Sequence, residues 1–273
     1  MAIEQYLGLS VFGILVGAFG TLIGAGGGFI LAPVLLLLYP DESPTLITSI
    51  SLAVVFLNAS SGSVAYARMG RIDYRSGLLF ALAAIPGSIL GATSTAFIPR
   101  NLFDGVFGVV LMAVAGFLLF SSKRPRSEET ASGSSRLSRQ FTDKEGVIYE
   151  VNYNPVWGTV LSGFIGFLSS FLGIGGGIIH VPILVRLLDF PVHIATATSQ
   201  FILMIMALTG TIVHLLNGSL SRGMPQTAAL GIGVLLGAQI GAALSSKVNG
   251  KWIIRSLAIA LGIVGARILL SGW

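Results

Sequence analysis

"GAGGGFILAP" at residues 24–33 and "GIGGGIIHVP" at residues 173–182 decide the fold of this chain. Each holds three consecutive glycines with a proline five residues after the last of them, inside a long stretch without a formal charge, residues 5–40 and 151–185. Two full membrane crossings need about 40 residues plus a turn. Each stretch is too long for one helix and short for two, so we expect one arm of each pair to be a short or broken helix.

The composition is that of an integral membrane protein. Of the 273 residues, 53% are hydrophobic and 10% are charged, and the mean hydropathy is +0.87, whereas soluble domains carry about 25% charged residues. The net charge of +5 does not indicate nucleic acid, because the basic residues are scattered between apolar segments. The chain has no cysteine, which excludes disulfides and thiolate sites, and we expect no metal ion or cofactor.

Ten apolar segments follow one another in two groups of five. We expect them at about residues 5–23, 28–39, 46–67, 76–97 and 102–120, and at about 156–173, 176–188, 194–216, 226–245 and 252–270. The polar stretch between the groups predicts a cytoplasmic linker at 121–155, which separates a first transmembrane repeat at 1–120 from a second at 156–273. Residues 147–151 of the linker have two interpretations, a short strand or a segment on the membrane surface.

The two groups resemble each other beyond the glycines. The matched positions, at offsets of 148 to 150 residues, are Thr48 with Thr196, Ser51 with Ser199, Gly62 with Gly210, Gly70 with Gly218, and "GSILGA" at 87–92 with "GAQIGA" at 237–242. Because these matches keep one order, we favour internal duplication over chance agreement between glycine-rich helices. An odd number of segments per repeat makes the second repeat enter the membrane from the opposite side, so the predicted fold is all-α with two inverted-topology repeats.

The basic residues give an independent topology signal. Thirteen of the sixteen Lys and Arg residues fall on the same predicted side as the linker, and Arg100, Arg222 and Arg267 fall on the other. Since positive charge accumulates on the cytoplasmic side, we expect a cytoplasmic linker and both termini outside the cytoplasm.

The glycine triplets predict an anion site inside the membrane. Non-helical backbone at that depth is tolerated only where protein or a water-filled cavity surrounds it. Glycine leaves the N–H groups unobstructed and permits positive φ, and the helix that follows adds the positive end of its dipole. The alternative is close helix packing, which we favour for Gly62, Gly91, Gly210 and Gly241. The glycines expected to bind substrate are Gly26, Gly27, Gly28, Gly175, Gly176 and Gly177.

Hydroxyl groups open the helix after each glycine hairpin. In "TLITSIS" at 45–51 and "ATATSQ" at 195–200, residues three apart share one helical face. Such a face can donate hydrogen bonds to a dehydrated anion, although serine and threonine in membrane helices also bond back to their own helix. The predicted substrate-binding side chains are Thr48, Ser51, Thr196, Ser199 and Gln200.

Acidic residues are confined to the termini, the loops, the linker and a helix start, which disfavours a metal cation as the cargo. If protons are coupled to transport, a histidine must carry them. His180, inside the second hairpin, is the deepest of the three and the candidate for proton coupling, with a structural role as the alternative. The first repeat has Leu31 or Ala32 at the equivalent place.

These features resemble the TauE/SafE sulfite exporter family, also called TSUP. The resemblance spans nearly the whole chain and is most specific in "GAGGGFILAP" and in "GIGGGIIHVPILVRLL" with the "ATATS" that follows it. It implies a multi-pass protein of the bacterial inner membrane, with periplasmic termini, that transports sulfite, sulfoacetate or related organosulfonates. It leaves open the anion, the direction of transport, the coupling ion and whether the protein is a homo-oligomer.

We therefore expect a secondary transporter that works by alternating access on a small anionic substrate, in the lipid bilayer and without a nucleic-acid partner. An anion channel and a non-transporting membrane assembly or sensor protein are the alternatives. An intramembrane enzyme is disfavoured because no catalytic pair of residues is evident at membrane depth.

Overall fold

The computed structural model describes residues 3–120, 137–142, 144, 146, 148–245 and 247–271. Its helices fall into two groups, and in each group the second helix is the shortest. The first group is α1 (Ile3–Ile23), α2 (Gly28–Leu38), α3 (Pro44–Met69), α4 (Tyr74–Ser94) and α5 (Arg100–Phe120). The second is α6 (Pro155–Leu172), α7 (Gly177–Arg186), α8 (Val192–Leu216), α9 (Met224–Ser245) and α10 (Gly250–Ser271). Short 3₁₀ turns lie at Thr95–Phe97 and Ser221–Gly223.

Seven of the described helices are long and apolar enough to cross a membrane. Helices α2 and α7 have only 11 and 10 residues, which at 1.5 Å per residue is roughly half of a hydrocarbon core of about 30 Å. The structure thus confirms an all-α integral membrane protein in which one arm of each glycine hairpin is short. Both short helices begin at the last glycine of the triplet, within one residue of the expected starts at 28 and 176, and both contain a proline, Pro33 and Pro182.

Two strands interrupt the helices, within the linker. Strand β1 (Leu137–Thr142) pairs antiparallel with β2 (Ile148–Tyr153), and Leu137 lies opposite Tyr153. Of the two interpretations of residues 147–151, the strand is the one observed for the residues that the structure describes, and it continues to the start of α6.

The helix packing has the same pattern in both groups. Helix α1 packs on α9 and α6 packs on α4, while α3 packs on α8 and α5 on α10. If each helix is replaced by its counterpart in the other group, for example α1 by α6 and α9 by α4, the same set of helix pairs is obtained. Glycines permit the closest of them: a Cβ on Gly91 would lie 2.2 Å from Phe167 O, and one on Gly241 would lie 2.1 Å from Ala18 O. The predicted packing role of these two glycines is confirmed, and the inverted orientation of the repeats stays a prediction.

The segments that connect the helices lie at the two ends of the long helix α3. At its C-terminal end, the Lys144 N–H donates to Met69 O at 3.2 Å, and the Tyr153 ring lies 5.7 Å from Phe80 and 5.2 Å from Phe190. The linker hairpin therefore lies at the same end as the α3–α4 and α7–α8 connections.

At the N-terminal end of α3, the Arg100 guanidinium binds four backbone carbonyls around the end of α2. Arg100 Nη1 donates to Tyr39 O at 3.2 Å, and Arg100 Nη2 donates to Leu36 O at 2.7 Å. Gly223 lies against Ile50 at this same end. Arg100 and Arg222 thus lie at the end of α3 opposite the linker hairpin. They are two of the three basic residues that the sequence assigns to the side away from the linker. Which end faces the cytoplasm stays a prediction.

Candidate anion site

The two glycine loops have matching backbone conformations. In each loop the first, third and fourth residues are glycines with φ between +67° and +83°, a left-handed conformation that other residues adopt only at a cost. The six glycines with this conformation are Gly24, Gly26, Gly27, Gly173, Gly175 and Gly176. Repeating the same dihedral pattern turns the chain from α1 into α2 and from α6 into α7 in the same way.

The loops contact each other backbone to backbone. A Cβ on Gly28 would lie 2.5 Å from Ile174 O, and a Cβ on Gly177 would lie 2.3 Å from Gly24 O. Neither glycine has a positive φ, so here the close approach rather than the dihedral angle requires glycine. The structure thus brings the two triplets together, although 149 residues separate them in sequence.

The matched serines fix this contact reciprocally. Ser51 Oγ, on α3 of the first repeat, donates to Gly173 O in the second loop at 2.6 Å. Ser199 Oγ, on α8 of the second repeat, donates to Gly24 O in the first loop at 3.0 Å. All four residues are buried. Each repeat therefore holds the glycine loop of the other through one hydrogen bond.

The matched threonines have a different geometry. Thr48 Oγ1 donates to Thr45 O at 3.1 Å and Thr196 Oγ1 donates to Val192 O at 2.8 Å, so both bond back to their own helix. Their backbones lie directly under the loops, since a Cβ on Gly24 would lie 2.8 Å from Thr196 Cα. The equivalent distance from Gly173 to Thr48 Cα is also 2.8 Å. In this conformation the threonines support the loops, and their hydroxyl hydrogens are not directed at them.

The loops lie near the middle of the two longest helices. Gly26 and Gly175 both face Val55 on α3 and Leu203 on α8. Each of these side chains is 11 residues from the start of its helix, and the helices have 26 and 25 residues. If α3 and α8 cross the bilayer, both loops lie near its centre, where helical backbone is interrupted only inside protein.

Several backbone N–H groups of the loops are buried without an acceptor. In the part of the chain that the structure describes, no hydrogen bond is made by the N–H groups of Gly27, Gly28, Phe29, Gly175, Gly176 and Ile178. More than about nine in ten buried backbone groups in proteins are paired. These donors lie at the N-termini of α2 and α7, where the helix dipole is positive, so the arrangement suits a negatively charged ligand.

Gln200 and His180 lie on either side of the loops. Gln200 Nε2 donates to Gly20 O at 3.3 Å, and its Oε1 is without a partner among the described residues. His180 is 2% exposed, and its Nε2 lies 3.2 Å from the Ser162 hydroxyl of α6. The His180 side chain thus contacts α6, while only its backbone N–H contacts the loop, through Gly176 O at 2.9 Å.

Sequence reasoning missed Ser169. Its hydroxyl is buried without a partner in the described structure and would lie 2.9 Å from a Cβ on Gly176, so it is close to the second loop. The available signal was its position four residues before Gly173, which is where Gly20 stands before Gly24. Only the backbone turn shows that this position points at the loop.

Comparison with known proteins gives matches over nearly the whole chain. A family model described as Sulfite exporter TauE/SafE matches residues 9–268. The chain is 31% identical over 270 residues to the probable membrane transporter protein YunE of Bacillus subtilis, covering 97% of both chains. It is 26% identical over 276 residues to a probable membrane transporter protein of Methanocaldococcus jannaschii, covering 96% of this chain and 94% of the relative. No solved structure gives a significant match.

Proposed function

We propose that this chain, which belongs to the TauE/SafE sulfite exporter family, is a secondary transporter of small sulfur-containing oxyanions in the bacterial inner membrane. Candidate substrates are sulfite, sulfoacetate and related organosulfonates. The relatives named above are described as probable membrane transporters and not as enzymes, which agrees with a role in transport.

One observation carries the proposal: two matched glycine loops meet between the repeats and hold buried N–H groups that no described residue accepts. An oxyanion has only acceptors to offer, so amide donors satisfy it without any competing negative charge. Hydrogen bonds to an ionised group are about twice as strong as neutral ones, and burial strengthens them further. Substrate would be held by the free N–H groups of Gly27 and Gly28 with those of Gly175 and Gly176. The N–H groups of the other two predicted glycines, Gly26 and Gly177, already donate to Gly20 O and Gly175 O in this conformation.

The reciprocal serine bonds support alternating access as the mechanism. Because Ser51 and Ser199 each reach into the other repeat, both repeats contribute to the site, and alternating access requires helices of the two repeats to move relative to each other around it. Side chains from both repeats close the site in this conformation, since Val55 of α3 and Leu203 of α8 cover the loops and are 0% exposed. An opening motion on either side must separate one loop from its supporting helix.

Counterflow in liposomes tests the proposal. Purified protein is reconstituted with unlabelled sulfite or sulfoacetate inside, and uptake of the labelled anion is measured. We expect transient accumulation above equilibrium, since a carrier exchanges one anion for another. Downhill flux without counterflow would indicate a channel. If liposomes with the protein show no more flux than empty liposomes for any of the sulfur anions, transport of this class is excluded.

Coupling to protons through His180 is part of the same proposal. The His180 imidazole, on α7, contacts Ser162 of α6. A change in the protonation of the imidazole can therefore act on α6, the helix that leads into the second loop. A folded His180→Ala protein should lose the pH dependence of anion flux while keeping exchange at a fixed pH. Full retention of the pH dependence would remove His180 from the mechanism.

A further inference from the structure

A buried polar cluster lies beside the last turn of α1, next to the first glycine loop. Thr21 Oγ1 donates to Asn58 Oδ1 at 3.2 Å, and Gln200 Nε2 donates to Gly20 O at 3.3 Å. A Cβ on Gly62 would lie 3.2 Å from Thr21 Oγ1 and 3.4 Å from Gln200 Cδ. Thr21 of α1 and Gln200 of α8 therefore lie against the bare Cα of Gly62 on α3, and Asn58, also on α3, joins the cluster through its bond to Thr21.

Two polar atoms of the cluster are unsatisfied. Asn58 Nδ2 and Gln200 Oε1 have no partner among the described residues, and both side chains are 0% exposed. Buried polar atoms are normally paired, so such a pair indicates a bound group. The nitrogen and oxygen of an asparagine amide exchange places on a 180° rotation. Rotated in this way, Asn58 donates Nδ2 to Thr21 Oγ1, and the cluster presents two free amide oxygens beside a hydroxyl oxygen.

The electrostatics of this place favour a cation. Gly20 and Thr21 belong to the C-terminal turn of α1, where the helix dipole is negative. In transporters, the C-terminal ends of broken helices and neutral oxygens coordinate Na⁺. The hydrogen bonds and close contacts described above for the cluster involve no carboxylate, whereas Ca²⁺ and Mg²⁺ are usually held by carboxylates. A monovalent ion fits this donor set.

The second repeat lacks the cluster. The positions equivalent to Gln200 and Asn58, at the offset of 148, are Leu52 and Met206. Around Gly210, which matches Gly62, the nearest atoms are Leu52 Cδ1 at 2.9 Å and Ser170 Oγ at 3.2 Å. An apolar side chain thus replaces the amide of Gln200, so only the first repeat can bind the ion.

The geometry points to a Na⁺ site formed by Thr21, Asn58 and Gln200, occupied together with the anion. A Cβ on Gly62 would have neighbours at 3.0 to 3.4 Å, so the space is small and favours Na⁺ over K⁺. Gln200 follows Ser199, which holds Gly24 O at 3.0 Å. An ion here stabilises the first glycine loop and offsets the charge of the substrate. Na⁺ would then be a second coupling ion beside the proton. That coupling role rests on the proposed function, whereas the binding of Na⁺ to the site does not.

Thermal unfolding of the purified protein, without any anion substrate, tests the site. At constant ionic strength we expect NaCl to raise Tm by about 3 to 6 °C at ten times Kd, with little effect of KCl or choline chloride. The variants Gln200→Leu and Asn58→Met install the residues of the other repeat and should lose the Na⁺ response. Gln239→Leu makes the same chemical change at an exposed glutamine that bonds to Ser61, and it should keep the response.

The outcomes separate this inference from the proposed function. A wild-type protein whose Tm responds equally to Na⁺, K⁺ and choline has no such site. Retention of the Na⁺ response in both Gln200→Leu and Asn58→Met would also overturn the assignment. Anion counterflow that is unaffected by Na⁺ would leave the transporter standing and remove the coupling role. A Na⁺-specific Tm shift without anion counterflow would support the site and count against the anion substrate.

Discussion

One methyl group placed between the glycine loops tests the contact on which the anion site depends. A Cβ on Gly177 would lie 2.3 Å from Gly24 O, and one on Gly28 would lie 2.5 Å from Ile174 O, whereas ordinary contact begins at 3.4 Å. In both cases the obstacle is backbone, which cannot rotate away, so the loops must separate by about 1 Å. Overpacking of this kind costs about 1 to 3 kcal/mol, which lowers Tm by about 2 to 12 °C in a chain of this size.

The same displacement should weaken anion binding. If a comparable free energy is lost from the bound state, the affinity measured by counterflow falls by about 5- to 150-fold. Purified Gly177→Ala and Gly28→Ala proteins are compared with wild type by thermal unfolding and by counterflow of labelled sulfite or sulfoacetate. Gly105→Ala is the control, because a Cβ there meets nothing within 4 Å and alanine in a helix is favoured over glycine by about 0.5 to 1 kcal/mol. Wild-type Tm and flux in Gly177→Ala would refute the loop contact.

Three further predictions follow from contacts elsewhere in the molecule. Ser51→Ala and Ser199→Ala should each lower the free energy of unfolding by about 1 to 3 kcal/mol, because each leaves a buried glycine carbonyl without its donor; an unchanged Tm would contradict the reciprocal bonds. Tyr153→Ala should lower the free energy of unfolding by up to about 3 to 5 kcal/mol, because it removes a ring packed between Phe80 of α4 and Phe190 of the α7–α8 connection. Tyr153→Phe should cost less, and equal losses would place the energy in the hydroxyl. In the cysteine-free chain, Lys144→Cys and Ser221→Cys should react with an impermeant thiol reagent from opposite faces of the membrane, and labelling from one face would overturn the topology.

Most of the fold could be predicted from the chain itself because a bilayer restricts the choices. Apolar segments must be helical in lipid, and the observed boundaries lie within about two residues of most of those expected. The length of the uncharged stretch 5–40 forces a short arm, which is the 11-residue helix α2. The hairpin of β1 and β2 was harder to predict from the sequence, because its strands are short and polar and, among the described residues, pair with each other alone.

The candidate site was predicted only in part. The residue types identified the glycine triplets and the matched serines, but Ser51 and Thr48 have the same hydroxyl chemistry and helical face. Their difference appears only in three dimensions, where Ser51 reaches Gly173 O and Thr48 bonds to Thr45 O. The Ser169 hydroxyl and Asn58 Nδ2, which have no partner among the described residues, depend on neighbours that are distant in sequence.

The sequence alone identifies a helical membrane protein with two groups of five apolar segments and a glycine-rich bend in each. Hydropathy and segment length act locally, so they can be evaluated along the chain. The tertiary structure was needed to show that the bends touch, that each is held by a serine of the other group, and that Thr21 and Gln200 flank Gly62. Those features depend on how α1, α3 and α8 pack against one another, and close packing is a property of surfaces that come from distant parts of the chain.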